Sequence, residues 1–209
     1  MSQPHDAEAE RFWDAHYNKN EQVWSGRPNA VLVKEATGLT PGIALDLGCG
    51  EGADAIWLAQ RGWRVTAVDI SQTALERGAR GAAAAGVAER VDWQPHDLAH
   101  TFPDGSYDLV STQYLHSPVD LPRGRILRAA AQAVALGGTL LVVGHKSVPP
   151  WACHPHASFP EPAETLDDLG LDTERWDVTT CEARQRQTTG PDGEIGAVTE
   201  SVIKALRRR

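Results

Sequence analysis

Apolar runs of strand length alternate with alanine-rich stretches of helical length along the middle of the chain. Alternation of this kind is typical of βαβ units, in which helices cover both faces of a parallel sheet. The predicted strands are residues 43–47, 64–69, 91–94, 107–111 and 139–144, and the predicted helices are residues 53–61, 72–85 and 122–135. The pattern therefore predicts a doubly wound α/β fold.

Residues at the predicted helix boundaries support this interpretation. Ser71 is a favourable N-cap because its hydroxyl can accept a hydrogen bond from an unpaired amide of the first turn. Gly62 and Gly86 follow two of the helices at positions that favour left-handed backbone. Pro122 opens the third helix, where its missing N–H costs nothing, and Gly137-Gly138 turn the chain into the next strand.

The two ends of the chain complete the predicted architecture. Residues 175–182 and 198–205 are strand candidates separated by the turn sequence Gly190-Pro191-Asp192-Gly193, which predicts an antiparallel hairpin and a mostly parallel sheet of seven strands. A short helix is predicted over residues 164–169, and two helices over residues 8–17 and 30–36 flank a loop at 23–29. We expect one domain, divided into an N-terminal helical part (1–40), a central α/β core (41–146) and a C-terminal part with a loop and the hairpin (147–209).

A glycine-rich sequence follows the first predicted strand and precedes a helix. In Asp46-Leu47-Gly48-Cys49-Gly50-Glu51-Gly52 the glycines allow a ligand to approach the backbone closely, and the helix amides face that ligand. Asp69 ends the second predicted strand, 23 positions after Asp46, where an acidic side chain commonly binds ribose hydroxyls. These features predict a nucleotide-like cofactor and suit NAD and S-adenosylmethionine alike.

Further motifs resemble those of the class I S-adenosylmethionine-dependent methyltransferases. Residues 44–52 are similar to the family's first motif, in which an acid precedes the glycines, and His96-Asp97-Leu98 resembles the motif that contacts adenine. Tyr107-Asp108-Leu109-Val110-Ser111 resembles the fourth-strand motif, and residues 137–142 resemble the fifth-strand signature. The resemblance implies a Rossmann-like fold, S-adenosylmethionine as cofactor, and direct methyl transfer.

The resemblance also implies roles for individual residues. The methionine end of the cofactor would contact Asp46, Gly48, Gly50 and Gly52; ribose and adenine would contact Asp69, Ile70, Asp97 and Leu98; and Gln113 would lie beside the sulfur. Two alternatives stay open on the residues alone. One is an NAD-dependent oxidoreductase, and the other is a protein that binds S-adenosylmethionine without catalysis.

The N-terminal aromatic residues resemble the lid of small-molecule enzymes related to the tellurite-resistance and thiopurine methyltransferases. In that group a lid excludes water from the reaction, which would place Trp24 and Arg27 at the cofactor or at an acceptor carboxylate. The alternative is that Trp13 and Trp24 only pack the N-terminal helices together.

Three polar residues are candidates for catalysis. His116 follows the fourth predicted strand and His145 ends the fifth, so both should lie at the carboxyl edge of the sheet with Tyr114 beside them. Each histidine could take a proton from the acceptor or hydrogen-bond to it. The family members that methylate amino groups of bases or glutamine carry an acid or Asn, two prolines and an aromatic here, whereas this chain has Ser111-Thr112-Gln113-Tyr114. Thiol, selenol, amine, phenol and carboxylate acceptors stay open.

Composition narrows the class of partner. A net charge of −8 and a pI near 5.4 disfavour nucleic acid, so we expect a small-molecule acceptor. No stretch approaches the roughly 20 apolar residues of a membrane helix, and the polar, acidic N-terminus does not resemble a secretory signal, so we expect a cytoplasmic protein. We interpret the three cysteines as reduced thiols, and Cys153-His154-Pro155-His156 as no metal site, because Pro155 prevents helical ligand spacing.

Overall fold

The computed structural model describes residues 6–152, 158–190 and 192–208, with side chains from residue 8 onward. The predicted absence of a metal site at Cys153-His154-Pro155-His156 concerns residues outside those described, and so does Pro191 of the predicted turn. Cys49 and Cys181 are free in the described part of the chain, whereas Cys153 lies outside it.

Seven strands form one sheet in the order β3-β2-β1-β4-β5-β7-β6. Five of them run parallel, and β7 is inserted antiparallel between β5 and β6. The strands are β1 (Ile43–Leu47), β2 (Arg64–Asp69), β3 (Val91–Pro95), β4 (Tyr107–Gln113), β5 (Val134–Ser147), β6 (Trp176–Thr189) and β7 (Ile195–Arg207). The predicted doubly wound, mostly parallel seven-stranded sheet with a C-terminal antiparallel hairpin is confirmed.

Helices cover both faces of the sheet. They are α1 (Asp6–Tyr17), α2 (Ala30–Ala36), α3 (Ala53–Gln60), α4 (Gln72–Ala84), α5 (Arg123–Ala133) and α6 (Pro162–Leu169), with a short 3-10 turn at Ala88–Arg90. One core cluster packs α2, α3 and α4 against the sheet, and a second packs α5 and α6 against the opposite face. The central strands read as nearly continuous apolar runs because both of their faces are buried.

The helix boundaries follow the local chemistry. The Ser71 hydroxyl accepts a hydrogen bond from the amide of Ala74, and Gly62 adopts a φ of +97°. Asn29 caps α2 by accepting a hydrogen bond from the amide of Val31 at 2.8 Å. This cap also fixes the orientation of the Asn29 amide group, because its oxygen is the acceptor.

The predicted boundaries between α5 and β5, and those of the hairpin strands, are wrong. Helix α5 ends at Ala133 and β5 begins at Val134, because Gly137 (φ +82°) forms a bulge inside the strand rather than a turn before it. A β-carbon built on Gly138 would lie 2.9 Å from the carbonyl oxygen of Tyr107, so the two backbones approach closely there. The hairpin strands are longer than predicted, because the polar segment 183–189 is held by backbone pairing with β7 and has no apolar pattern.

No helix among the described residues is long and apolar enough to cross a membrane.

Candidate active site

A cavity of about 880 Å³ lies at the carboxyl ends of the parallel strands. The carboxyl edge is where ligands bind in open α/β sheets. The structure brings all the predicted site residues to the border of this cavity, namely Trp24, Arg27, Asp46, Gly48, Gly50, Gly52, Asp69, Ile70, Asp97, Leu98, Gln113, Tyr114, His116 and His145.

The glycine loop connects β1 to α3 along one side of the cavity. Its glycines, Gly48, Gly50 and Gly52, have φ values of +69°, +54° and +79°, in the left-handed region that side chains disfavour. A β-carbon built on Gly50 would lie 2.9 Å from the Tyr17 hydroxyl and 3.2 Å from Nε1 of Trp24. The N-terminal segment therefore packs directly against the loop at this position.

Asp46 contributes a buried carboxyl group to the floor of the cavity. Its side chain is 1% exposed, and its Oδ2 has no hydrogen-bond partner among the described residues. Burial, reinforced by the charges of Asp54 and Asp69, holds the pKa of Asp46 well above its usual range. A cation placed beside this carboxyl group would relieve that cost.

Asp69 has a second task besides facing the cavity. Its Oδ2 accepts a hydrogen bond from the amide of Gly50 at 2.9 Å, and its Oδ1 accepts one from the amide of Ser71 at 3.0 Å. Burial raises the pKa of Asp69, although both hydrogen bonds oppose that effect. The carboxylate therefore fixes the shape of the glycine loop, and because Asp69 also borders the cavity, its oxygens can accept a further hydrogen bond from a ligand.

The loop after β3 and the end of β4 form another side of the cavity. The Oδ1 of Asp97 accepts a hydrogen bond from the amide of Ala99 at 2.9 Å, and its Oδ2 lies 3.0 Å from Nδ1 of His100. Gln113 donates a hydrogen bond to Ser111 at 2.9 Å, while its Oε1 is buried without a partner in the described chain.

Glu51, which the sequence interpretation did not single out, ties the N-terminal segment to the glycine loop. Its carboxylate accepts hydrogen bonds from the amides of Val23 and Trp24 and pairs with Arg77 at 2.9 Å. Nε1 of Trp24 donates to the buried Tyr17 hydroxyl at 3.0 Å. The only sequence signal for this contact was an acid between two glycines of the motif.

Tyr114 follows β4 and borders the same cavity as the glycine loop. It adopts a φ of +54°, which is uncommon for a residue with a side chain, and its hydroxyl donates a hydrogen bond to Glu200. Its ring stacks on that of His145, with centroids 4.4 Å apart. Burial, with the neighbouring Glu200, raises the pKa of Tyr114 to about 12, so this phenol stays protonated at neutral pH.

The two histidines lie side by side next to Tyr114. Nε2 of His116 accepts a hydrogen bond from the amide of His145 at 3.2 Å, and the rings of both contact Phe159. Burial, with Arg123 nearby, lowers the pKa of His116 to about 4, and burial also lowers the pKa of His145. Both imidazoles are therefore neutral at physiological pH, and Nδ1 of His145 is buried without a described partner.

Two charged residues of the hairpin complete this part of the cavity, and the sequence interpretation missed both. Glu200 is 3% exposed and accepts hydrogen bonds from Tyr114 and from Nε of Arg186, the latter at 2.7 Å. Arg186 borders the cavity. No local signal could have found this contact, because Tyr114 and Glu200 are 86 positions apart in the sequence.

Comparison with known proteins identifies the family. A family model described as "Methyltransferase domain" matches residues 44–138. The chain is 34% identical over 161 residues to the 2-heptyl-1-hydroxyquinolin-4(1H)-one methyltransferase of Mycobacteroides abscessus, covering 70% of each protein. The chain belongs to the class I S-adenosylmethionine-dependent methyltransferases. Its cofactor is S-adenosylmethionine.

Other relatives agree with this family assignment. The methyltransferase is 40% identical to the release factor glutamine methyltransferase of Chlorobaculum tepidum over 116 residues, covering 47% of this chain and 39% of that protein. One solved structure concerns the conversion of a disulfide bond into a thioacetal group during echinomycin biosynthesis. It is 25% identical to this chain with a TM-score of 0.72, and the match covers 95% of this chain and 93% of the other. TehB from Haemophilus influenzae, at 17% identity, 96% and 67% coverage and a TM-score of 0.68, shares the fold. None of these relatives supports the NAD-dependent alternative.

The cavity of the methyltransferase fits its cofactor. Unpartnered buried polar atoms border the cavity, namely Nδ2 of Asn29, Oδ2 of Asp46, Oε1 of Gln113 and Nδ1 of His145. Buried polar groups are rarely left unpaired, so such a cluster indicates a ligand. The acidic residues near the glycine loop suit the positive charges of an amino group and a sulfonium. Among the described residues, no group of His, Cys, Asp and Glu is arranged to hold a metal ion.

Proposed function

We propose that the methyltransferase transfers the methyl group to a small-molecule acceptor bound between the N-terminal segment and the carboxyl ends of β4 and β5. One observation carries this proposal: four unpartnered buried polar atoms border a single cavity. In the proposal, Asp46 and Gln113 face the cofactor in a part of the cavity that we call the cofactor end, whereas Asn29 and His145 face the acceptor in a part that we call the acceptor end. One cavity therefore offers recognition to two ligands.

At the cofactor end, each residue has a role that its geometry supports. The buried carboxyl group of Asp46 would bind the amino group of the methionine moiety, and the loop with Gly48, Gly50 and Gly52 would lie against that moiety. Asp69 would bind the ribose hydroxyls with the lone pairs left by its two backbone contacts. Ile70, Leu98 and Asp97 would surround adenine, and Gln113 would lie beside the sulfur.

The N-terminal segment acts as a lid in this proposal. When bound, S-adenosylmethionine supplies an electrophilic methyl carbon on a sulfonium, so the protein contributes mainly positioning and exclusion of water. Trp24 and Arg27 border the cavity from the segment, which Glu51 holds in place. The proposed division is a lid of residues 1–40, a core of residues 41–146, and a region of residues 147–209 that completes the acceptor end.

At the acceptor end, His145 is the best placed catalytic residue. Its Nδ1 has no described partner, and stacking on Tyr114 fixes its ring. The lowered pKa keeps this imidazole neutral, so it can accept a proton from the acceptor or orient it. His116 supports the site by accepting a hydrogen bond from the His145 amide, and Tyr114 supports it through its ring.

Two observations favour a small acceptor over a macromolecule. The cavity is covered on one side by the N-terminal segment, and the chain carries a net charge of −8, which opposes nucleic-acid binding. The relative from Mycobacteroides abscessus, which matches over 70% of both chains, bears the name of a quinolinone methyltransferase.

A transfer assay with S-adenosylmethionine labelled in its methyl group tests the proposal. The purified protein is incubated with panels of thiols, amines, phenols and carboxylic acids, and labelled product is separated from the cofactor. We expect product from at least one panel, with activity strongly reduced in Asp69→Ala and retained in Asp92→Ala, whose side chain is exposed on β3. Label transferred only to RNA or protein, or to no acceptor at all, would refute the proposal.

A further inference from the structure

Asn29 offers a hydrogen-bond donor at the acceptor end of the cavity. The oxygen of Asn29 is occupied by the α2 cap, so its amide nitrogen is the group left towards the cavity. Nδ2 of Asn29 lies near the Tyr114 hydroxyl. Among the described residues, however, no atom accepts a hydrogen bond from this nitrogen with good geometry. A ligand atom that satisfies it must therefore be an acceptor, such as an oxygen.

Arg186 adds a positive charge at the same end. The β5–β7 register places Glu200 opposite His145, and the Glu200 carboxylate accepts a hydrogen bond from Nε of Arg186 at 2.7 Å. Because the Tyr114 hydroxyl donates to the same Oε1 of this carboxylate, Glu200 has two partners and orients the guanidinium. The guanidinium also contacts the Tyr114 hydroxyl, so the Nη donors that remain beyond these two partners are those with which Arg186 can contact an anion.

We propose that Arg186, oriented by Glu200 and assisted by Asn29, determines acceptor specificity by binding the oxygen anion of an acidic hydroxyl compound such as a phenol or an enol. This inference rests on the proposed function and names its substrate class. In the transfer, an electron pair of the oxygen anion forms the O–CH3 bond as the S–CH3 bond breaks, and the bonding pair goes to sulfur, which becomes neutral. No proton has to be removed from an acceptor that binds as its anion.

The charged groups around Arg186 are consistent with this selectivity. Glu200 faces Arg186 from β7, and His145 lies on β5. Tyr114 and His116 follow β4 in the chain, and the loops that border the cavity add Arg27 and Asp120. Both histidines have lowered pKa values and stay neutral, so neither contributes charge or a strong base at neutral pH. A neutral amine would gain nothing from Arg186, whereas an oxygen anion would gain a charge-assisted hydrogen bond.

A binding experiment with two probes of the same shape tests the inference. The complex with S-adenosylhomocysteine is titrated by calorimetry with 4-nitrophenol, which ionises between pH 5.5 and pH 8.5, and with 4-nitroaniline, which does not. We expect 4-nitrophenol to bind about tenfold more tightly at pH 8.5 than at pH 5.5. The 4-nitroaniline titration corrects for protein groups that titrate in this window, such as Asp54, whose pKa burial raises to about 6.

Variants of two neighbouring arginines separate the proposed role from a general effect of charge. Arg186→Gln should lose the pH-dependent gain, and Arg186→Lys should keep part of it. Arg184→Gln is the matched control, because Arg184 lies on the same strand and pairs with Glu35 at 2.7 Å away from the cavity. With a phenol that is methylated, Arg186→Gln should raise KM about tenfold and change kcat less than threefold.

The outcomes distinguish this inference from the proposed function. Three results would show that the inference is wrong while the proposed function stands. Arg186→Gln could bind the phenolate as tightly as the wild type, or the wild type could show no preference for the anion. The third such result is methylation of amines in preference to phenols. If no small acceptor is methylated, the proposed function fails, and the calorimetric comparison still decides whether Arg186 selects an anion.

Discussion

The two ends of the cavity are built in different ways. The proposed cofactor end takes its residues from the consecutive ends of β1, β2 and β3, with Gln113 added from β4, so most neighbours in sequence order are neighbours in space. The acceptor end joins the cap of α2, the residues after β4, the end of β5 and both strands of the hairpin. We therefore expect local motifs to bind the cofactor that is common to the family, and contacts between distant segments to recognise the acceptor.

The electrostatics of the two ends differ as well. Buried carboxyl groups with raised pKa values, Asp46, Asp54 and Asp69, gather at the cofactor end. The acceptor end holds Arg186, which is paired with Glu200, and two neutral histidines. This division matches a cationic cofactor on one side and, in our inference, an anionic acceptor on the other.

The largest expected effect is at the cofactor end. Gly50→Val places a branched side chain at a φ of +54° and against Tyr17 and Trp24, so affinity for S-adenosylmethionine should fall roughly 10³-fold or more. Gly86→Val is the matched control: its φ is +72°, but a β-carbon there has no neighbour within 4 Å. Calorimetry measures the affinity of each variant for S-adenosylmethionine, and circular dichroism checks that each variant is folded. Equal loss of binding in both variants would mean that backbone strain, and not the contact with the N-terminal segment, is responsible.

A second prediction concerns the acceptor end. His145→Ala should lower kcat about 10²-fold for a weakly acidic phenol such as 4-methoxyphenol, which needs a base, with little change in cofactor affinity. For the more acidic 4-nitrophenol, KM should rise instead. Because burial lowers the pKa of His145, any fall of wild-type kcat through protonation of this residue should come at a lower pH than for an ordinary histidine. Identical kinetics of variant and wild type on both phenols would remove His145 from the active site.

The acidity of the cofactor end predicts a pH dependence of stability. Burial raises the pKa of Asp54 to about 6 in the folded protein, so its contribution to the free energy of unfolding is present at low pH and is lost as pH rises through about 6. The Tm of the cofactor-free protein should therefore fall between pH 4.5 and pH 7. In Asp54→Asn this fall should be smaller by about 2–4 °C. The exposed Asp177→Asn should leave it unchanged, and an unchanged profile in Asp54→Asn would count against the acidic cofactor end.

The smallest effect should come from the contact that joins the N-terminal segment to the glycine loop. Glu51→Gln keeps one acceptor oxygen for the amides of Val23 and Trp24 but loses the charge that pairs with Arg77. We expect KM for S-adenosylmethionine to rise roughly threefold, as for the loss of a partly exposed ion pair. Glu76→Gln, on the exposed surface of α4, is the control. A larger effect on the acceptor KM than on the cofactor KM would show that the segment serves mainly the acceptor end.

The sequence predicted the cofactor end in more detail than the acceptor end. The cavity is bordered by Asp46, the loop glycines and Asp69. Their position follows from the ends of the first two strands, which can be located from the apolar pattern of the sequence. The second contact of Asp69, to the Gly50 amide, was not predictable, because it depends on how the loop folds back on β2. The sequence predicted that Tyr114, His116 and His145 lie at the same edge of the sheet. The stacking of the Tyr114 ring on His145 was not predictable, because it depends on the tertiary structure.

The amino-acid sequence by itself determined the order of the elements, the doubly wound sheet, the cofactor loop and the family, because these depend on local periodicity and on motifs of a few consecutive residues. Only the tertiary structure decided the extent of the hairpin, the bulge at Gly137, and the joining of Glu200 and Arg186 to Tyr114. The physical reason is that antiparallel pairing brings residues together through backbone register. That register depends on where β7 enters the sheet beside β5, and it cannot be predicted from the side chains of β6 and β7.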